Sequence, residues 1–266
     1  MTVRLEGAPW PAFEVVFLFH ENLDLFARTL PRCLEALTAG TAQDFEVVVH
    51  CDGSTPETVR RVAEMAPTWG VDEVRTRSRA RWVASGDPSN NGHRRLFESS
   101  SPYRIVVEDD VVMYRDDPRF DVLTAIRGLL ERNLDVPVVC KVDDTDKWTW
   151  KLRDIGPGIE PGVRSVNRLS THFIAYDVAR FRAAASPFGA FERDVFIDRE
   201  DLSYNWEDLV SHVGTTGGRR IAFPESWPLQ VFHCDVKVRE GSMYNTQDPS
   251  TKMTVLDELE ARYQAQ

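Results

Sequence analysis

Four short apolar runs, each ending abruptly in polar residues, constrain the fold of this chain more than any other feature. "FEVVFLFH" (13–20), "DFEVVVHC" (44–51), "YRIVVED" (103–109) and "VPVVCKV" (136–142) have strand length and are rich in valine. A strand with one wet face alternates polar and apolar residues. A nearly continuous apolar run is covered on both faces, as in the parallel sheet of an α/β protein. Helical patterns separate these runs. "NLDLFARTLPRCLEALTAG" repeats its leucines at helical spacing up to Gly40, and Pro31 predicts a kink or a split within it. Ser54 with Glu57 three residues on predicts a capping box that opens a helix to about Met65. "VLTAIRGLLERN" predicts another helix, "GHRRLFESS" a short one, and "VRTRSRARW" a weaker strand. The fold class that follows is α/β, with a mostly parallel central sheet flanked by helices.

The second half is less regular. "STHFIAYD" predicts a strand whose Asp177 caps the helix "VARFRAAA", and "NWEDLVSHVG" a helix capped by Asn205 and ended by Gly214. "PLQVFHC" predicts a last strand, and "VDDTDKWTWKLRDIGPGIEPGV" a long loop or irregular hairpin. "VREGSMYNTQDPSTK" has no apolar period and reads as a mobile segment, ahead of an amphipathic helix at "TVLDELEARYQ". No repeat and no Gly/Ser-rich linker divides the chain. The expectation is a single domain over 1–266, with one functional half at about 13–115, a second at about 140–250 and a C-terminal helix at 251–266.

Composition excludes several classes. The formal net charge of −10 argues against a nucleic-acid partner, which would want a broadly basic surface. Arg75, Arg77, Arg79 and Arg81 alternate, either as the solvated face of an edge strand or as an anion site. The four cysteines form no C-x-x-C pair, which argues against a disulfide framework and a structural zinc. No apolar run nears the roughly 20 residues that cross a bilayer, and the first residues lack a secretory layout, so the expected setting is cytoplasmic, without a transmembrane segment.

In open α/β sheets ligands bind beyond the carboxyl ends of the strands. His20–Asn22, Cys51–Asp52 and Glu108–Asp110 all fall there. Three adjacent carboxylates repel one another and resist desolvation unless a cation sits among them. A hard divalent ion such as Mg²⁺ takes one or two protein carboxylates plus substrate phosphates.

"FHEN", "CDGS", "NNG" and "VVEDD" stand in the order found in GT-A-fold glycosyltransferases, and the chain resembles the family 2-like nucleotide-sugar transferases over 13–115. The Glu-Asp-Asp motif is similar to that of the N-acetylglucosaminyltransferase I group, with Glu in place of the usual first Asp. The first half is then the nucleotide-binding half and the second the acceptor-binding half. The resemblance implies a nucleoside-diphosphate sugar donor, UDP favoured, and a hydroxyl-bearing acceptor. Asp52 would bind the base, with His20 and Glu21 lining its pocket, and Arg81 and Asn91 belong to the same donor-binding set. Asp110 would bind the metal, and Glu108 and Asp109 would contact ribose or sugar hydroxyls. "YNWEDL" resembles the x-E-D motif that supplies the catalytic base of inverting enzymes, here Asp208 with Glu207 beside it. His233 matches the late metal-ligating histidine of many GT-A enzymes, and His172 falls where donor sugar or acceptor is contacted. Nitrogen ligation favours Mn²⁺ over Mg²⁺. Two rivals stand beside this reading. A sugar nucleotidyltransferase would need a Gly-rich loop after the first strand, where "FHENLDLF" has no glycine. A non-catalytic sugar- or nucleotide-binding relative would not depend on Asp208.

Overall fold

A computed structural model describes residues 9–77, 101–143, 155–169, 171–188, 206–234 and 249–264. Strand β1 (Phe13–Phe19) is buried along its whole length. It pairs in parallel with β2 (Phe45–Asp52) on one side and β4 (Tyr103–Glu108) on the other, and β3 (Glu73–Arg77) extends the sheet beyond β2. Side chains of β1 alternate between two apolar layers, as the pleat requires. Phe13, Val15, Phe17 and Phe19 meet Phe26, Leu30 and Leu37 of α1 (Leu23–Thr38) and Ile126 and Leu129 of α3 (Val122–Arg132). Val16 and Leu18 face the layer that holds Phe181 of α4 (Val178–Ala185) and Val213 of α5 (Trp206–Thr215). Helices therefore cover both faces, as the unbroken apolar strands predict.

Beyond β4 the direction reverses. Strand β9 (Phe173–Asp177) lies antiparallel to β4 and to β6 (Val138–Cys140). The sheet continues through β10 (Ile221–Phe223) to the bulged hairpin of β7 (Ile155–Glu160) and β8 (Val163–Val166), in the order β3-β2-β1-β4-β9-β6-β10-β8-β7. A separate two-stranded ribbon pairs β5 (Val111–Arg115) with β11 (Leu229–His233), antiparallel. The last helix, α6 (Pro249–Gln264), packs Leu256 and Leu259 against Leu25, Val112 and Phe232.

Several local expectations are corrected. Pro31 does not split α1, which runs unbroken from its Asn22 cap. The proline is exposed, while Leu30 and Cys33 on the opposite face are buried and hold the helix to the sheet. The cap of α2 (Pro56–Met65) is Thr55, not Ser54; its hydroxyl accepts from the Thr58 N–H, and Pro56 opens the helix where a missing N–H costs nothing. Glu57 pairs with Arg60 instead of closing a capping box. Pro249–Lys252, expected within the mobile segment, forms the start of α6. Strands β5 and β10 have no counterpart in the sequence reading.

Candidate active site

The acidic triplet is the turn between β4 and β5. Glu108 closes β4, Asp109 and Asp110 make the turn, and Val111 opens β5. Two antiparallel registers then deliver the late histidines to this one turn. Pairing of β4 with β9 sets Val107 opposite Phe173, so His172 lies across from Glu108 and its carbonyl accepts the Glu108 N–H at 3.3 Å. Pairing of β5 with β11 sets Val111 opposite His233, and the Cys234 N–H donates to the Asp110 carbonyl at 2.7 Å.

The side chains complete the cluster. His172 Nδ1 lies 2.8 Å from Glu108 Oε2, and His233 Nε2 lies 3.0 Å from Asp110 Oδ1. The two imidazoles stack at 3.9 Å between centroids, 11° from parallel. Lys252 of α6 donates to the other Asp110 oxygen, Oδ2. His172, His233 and Asp110 are all buried, at 3%, 1% and 5% exposure, so these polar groups depend on one another and not on bulk water. Burial alone would raise the Glu108 carboxyl, but His172 overrides it and holds the group down at about 2. For Asp110 burial is likewise outweighed, by His233 and Lys252, and the carboxyl stays well below its ordinary range. Both carboxylates are thus ionised, and each ring nitrogen facing one is the donor.

Asp109 is directed to β1 instead. Its Oδ2 accepts the His20 N–H at 2.8 Å, and its carbonyl accepts the Thr29 hydroxyl at 2.8 Å. Burial and the neighbouring Asp110 raise its carboxyl to about 7. It ties the end of β1 to the acidic turn. Glu21 makes a second tie. It holds a left-handed backbone, φ 60°, a conformation that costs a non-glycine residue about 1 kcal/mol. Its carboxylate accepts from the Thr55 N–H and from the Thr58 hydroxyl, the latter at 2.8 Å, which joins the end of β1 to the start of α2.

The structure thus brings together Glu108, Asp110, His172 and His233, with Asp109, His20 and Glu21 at the adjoining strand end. Asp52 ends β2 at the same edge of the sheet, and Glu207 and Asp208 fall in the first turn of α5, but their side chains lie outside the described residues. Arg81 and Asn91 lie outside them altogether. Arg75 is committed to two carboxylates, the buried Glu14 and the exposed Glu73, both at 2.7 Å, which favours the edge-strand reading of that arginine. Lys252 was missed. It stands in a stretch without apolar period, 142 residues from Asp110, and nothing local marks it.

The fold is that of GT-A-type glycosyltransferases. The mannosyltransferase PcManGT from Pyrobaculum calidifontis, solved with GDP-Man and Mn²⁺, superposes with a TM-score of 0.53 at 17% identity, over 88% of this chain and 59% of its own. The chain therefore spans under two thirds of that enzyme's length. S. aureus TarS 1-349 in complex with UDP-GlcNAc superposes with a TM-score of 0.51 at 15% identity, over 92% of this chain and 70% of its own. No protein-family model matches the sequence, and no curated protein matches it. Among the described residues no helix is long and apolar enough to cross a membrane.

The cluster also fits a divalent ion. Glu108, His172 and His233 each offer one donor atom, all within 4.8 Å of one another. The His172–Glu108 pair at 2.8 Å has the spacing of adjacent ligands on one octahedral ion, whose bonds of about 2.1 Å at right angles put donors about 3 Å apart, and Asp110 stands beside this set, 3.0 Å from His233. Two ring nitrogens in the set suit Mn²⁺ better than Mg²⁺.

Proposed function

We propose that this protein is a metal-dependent, inverting glycosyltransferase that moves a sugar from a nucleoside-diphosphate donor, UDP favoured, to an acceptor hydroxyl. The observation that carries the reading is the cluster of Glu108, Asp110, His172 and His233 at the carboxyl end of β4, in a sheet of the GT-A fold. Glu108, His172, His233 and Asp110 would hold the ion, which when bound supplies positive charge against the negative charge developing on the departing diphosphate.

The chain's own groups do the rest. Asp52 binds the base, and the end of β1, fixed by Asp109 on His20 and by Glu21 on α2, lines the base pocket. Arg81 and Asn91 join the donor-binding set. Asp208 takes the proton of the acceptor hydroxyl as that oxygen attacks the anomeric carbon. Its place in the first turn of α5 favours an ionised carboxylate, since the positive end of the helix lies there. Attack from the face opposite the diphosphate inverts the anomeric centre. The diphosphate leaves with the electron pair of the broken bond.

A thermal-shift panel of UDP, GDP and TDP, each with and without Mn²⁺, tests this. A ligand that binds only the native state raises the melting temperature by mass action. A shift that needs one nucleotide together with the metal, and is lost in Asp110→Ala, is the expected result. No shift with any pair would sink the donor-site reading. Release of nucleoside diphosphate from the matching sugar donor, abolished in Asp208→Asn with the thermal shift intact, then separates an enzyme from a binding protein.

A further inference from the structure

Both oxygens of Asp110 are already in use by groups of the chain itself: Oδ1 by the His233 imidazole and Oδ2 by the Lys252 ammonium. The lysine is the unusual partner. It is the fourth residue of α6, in a first turn without an acidic residue, where the positive helix end disfavours an ammonium. Its side chain is 12% exposed, and its bond to the Asp110 carboxylate offsets part of its loss of water.

The rest of α6 is anchored independently. Arg28 of α1 donates to Asp257 and Glu260, both at 2.7 Å, and Tyr263 stacks on Tyr114 at 4.0 Å. Leu256 and Leu259 close the apolar layer over Val112 and Phe232. Those two residues belong to β5 and β11, the strands whose ends carry Asp110 and His233. The helix thus packs on the outside of the ribbon, and among the described residues Lys252 is the charged group by which it reaches the acidic turn.

We propose that Lys252 is the resident counter-ion of Asp110 and competes with the divalent ion for it, so that metal loading and the seating of the first turn of α6 are linked. This rests on the metal-dependent reading of the site. A dication ligated by Asp110 and an ammonium on the same carboxylate repel at short range in a site with little water to screen them. Loading the ion therefore displaces Lys252, while Arg28, Leu256 and Tyr263 keep the later turns in place. In the free protein the same lysine shares Asp110 with His233.

The test uses the whole chain and Mn²⁺ alone, titrated by the loss of the free-ion electron paramagnetic resonance signal. Lys252→Met should bind Mn²⁺ about tenfold tighter than wild type, roughly the competition of one buried charge-assisted pair, and Lys252→Arg should bind as wild type does. Amide hydrogen exchange of unaltered protein gives a readout free of any folding defect in the variants. Saturating Mn²⁺ should speed exchange at 251–254 and leave 256–263 unchanged. Equal or weaker Mn²⁺ binding by folded Lys252→Met, or exchange at 251–254 indifferent to Mn²⁺, overturns the inference while Asp110→Asn and His233→Ala still abolish binding. If those two variants bind Mn²⁺ like wild type, the metal site itself is wrong and the inference falls with it.

Discussion

Two buried ionic networks lie on the same strand and do opposite jobs. At the amino-terminal part of β4, Arg104 donates through Nε to Glu14 of β1 at 2.5 Å, and both side chains are wholly buried. At its carboxyl end, Glu108 meets His172, and Asp110 just beyond meets His233 and Lys252. Glu108 lies four residue steps beyond Arg104, about 13 Å along a strand. The first network joins parallel neighbours in direct register, Glu14 opposite Arg104, and is sealed inside the frame. The second is assembled from antiparallel strands and a terminal helix at the open edge. A charge pair in the frame holds strands together. One at the edge is, on the proposed reading, where a ligand binds.

The largest effect should come from breaking the frame network. Glu14→Leu removes the carboxylate shared by Arg104 and Arg75; burial already pushes the Arg104 guanidinium below its ordinary range against the pull of Glu14. Loss of about 3–5 kcal/mol is expected in urea denaturation, the usual cost of an uncompensated buried charge. The double variant Glu14→Leu/Arg104→Met should recover part of it, since the apolar pair needs no compensation and Arg75 keeps its contact with Glu73. Metal and nucleotide thermal shifts should survive in the double variant, because sites this far apart act independently. If the shifts vanish, the two networks are not separate.

Next in size is Leu256→Ala on α6. Leu256 is fully buried against the β5–β11 ribbon, and its truncation should cost about 3 kcal/mol, within the range for core leucines. A single cooperative transition at a lower urea midpoint, with unchanged slope, means that the ribbon and α6 unfold together with the frame. An unchanged main transition with early loss of α6 would make the edge a separate unit and the comparison sharper still.

The comparison also explains what could be read from the chain. The frame was legible because parallel strands buried on both faces carry their signal locally. β1, β2 and β4 appear as apolar runs within a residue of their observed bounds, and Asp177 caps α4 through the Arg180 N–H as its position predicts. At the site, the triplet at 108–110 marked itself by its improbable charge. Its convergence with His172 and His233 depends on two antiparallel registers, which leave no trace in local pattern. His172 and His233 were singled out only through resemblance. The three-residue strand β10 is too short to show a period, and Lys252 reaches Asp110 across the whole fold. Asp109 and Glu21 were read as donor contacts, yet their visible work is to tie the β1 end to the turn and to α2, which only side-chain direction reveals.

The smallest effect lies at the back of the frame. Asp121 caps α3 through the Thr124 N–H at 3.0 Å and accepts from the Thr124 and Thr41 hydroxyls, both at 2.8 Å. It thereby pins the chain leaving α1 as well. Asp121→Ala should cost about 1 kcal/mol, as cap removals do. Burial tends to raise the Asp121 carboxyl, but the four donors, Ala42 N–H included, outweigh it and hold it below the ordinary value. A depressed native value means that the unfolded chain binds the proton first. The stabilisation is therefore complete above the unfolded value of about pH 3.9 and is lost as pH falls through the native one. Urea midpoints of wild type and Asp121→Ala should differ by a constant amount from pH 7 to pH 5 and converge below pH 4. A gap that persists undiminished in acid would show that Asp121 acts through its shape and not its charge, which would set it apart from every carboxylate at the site.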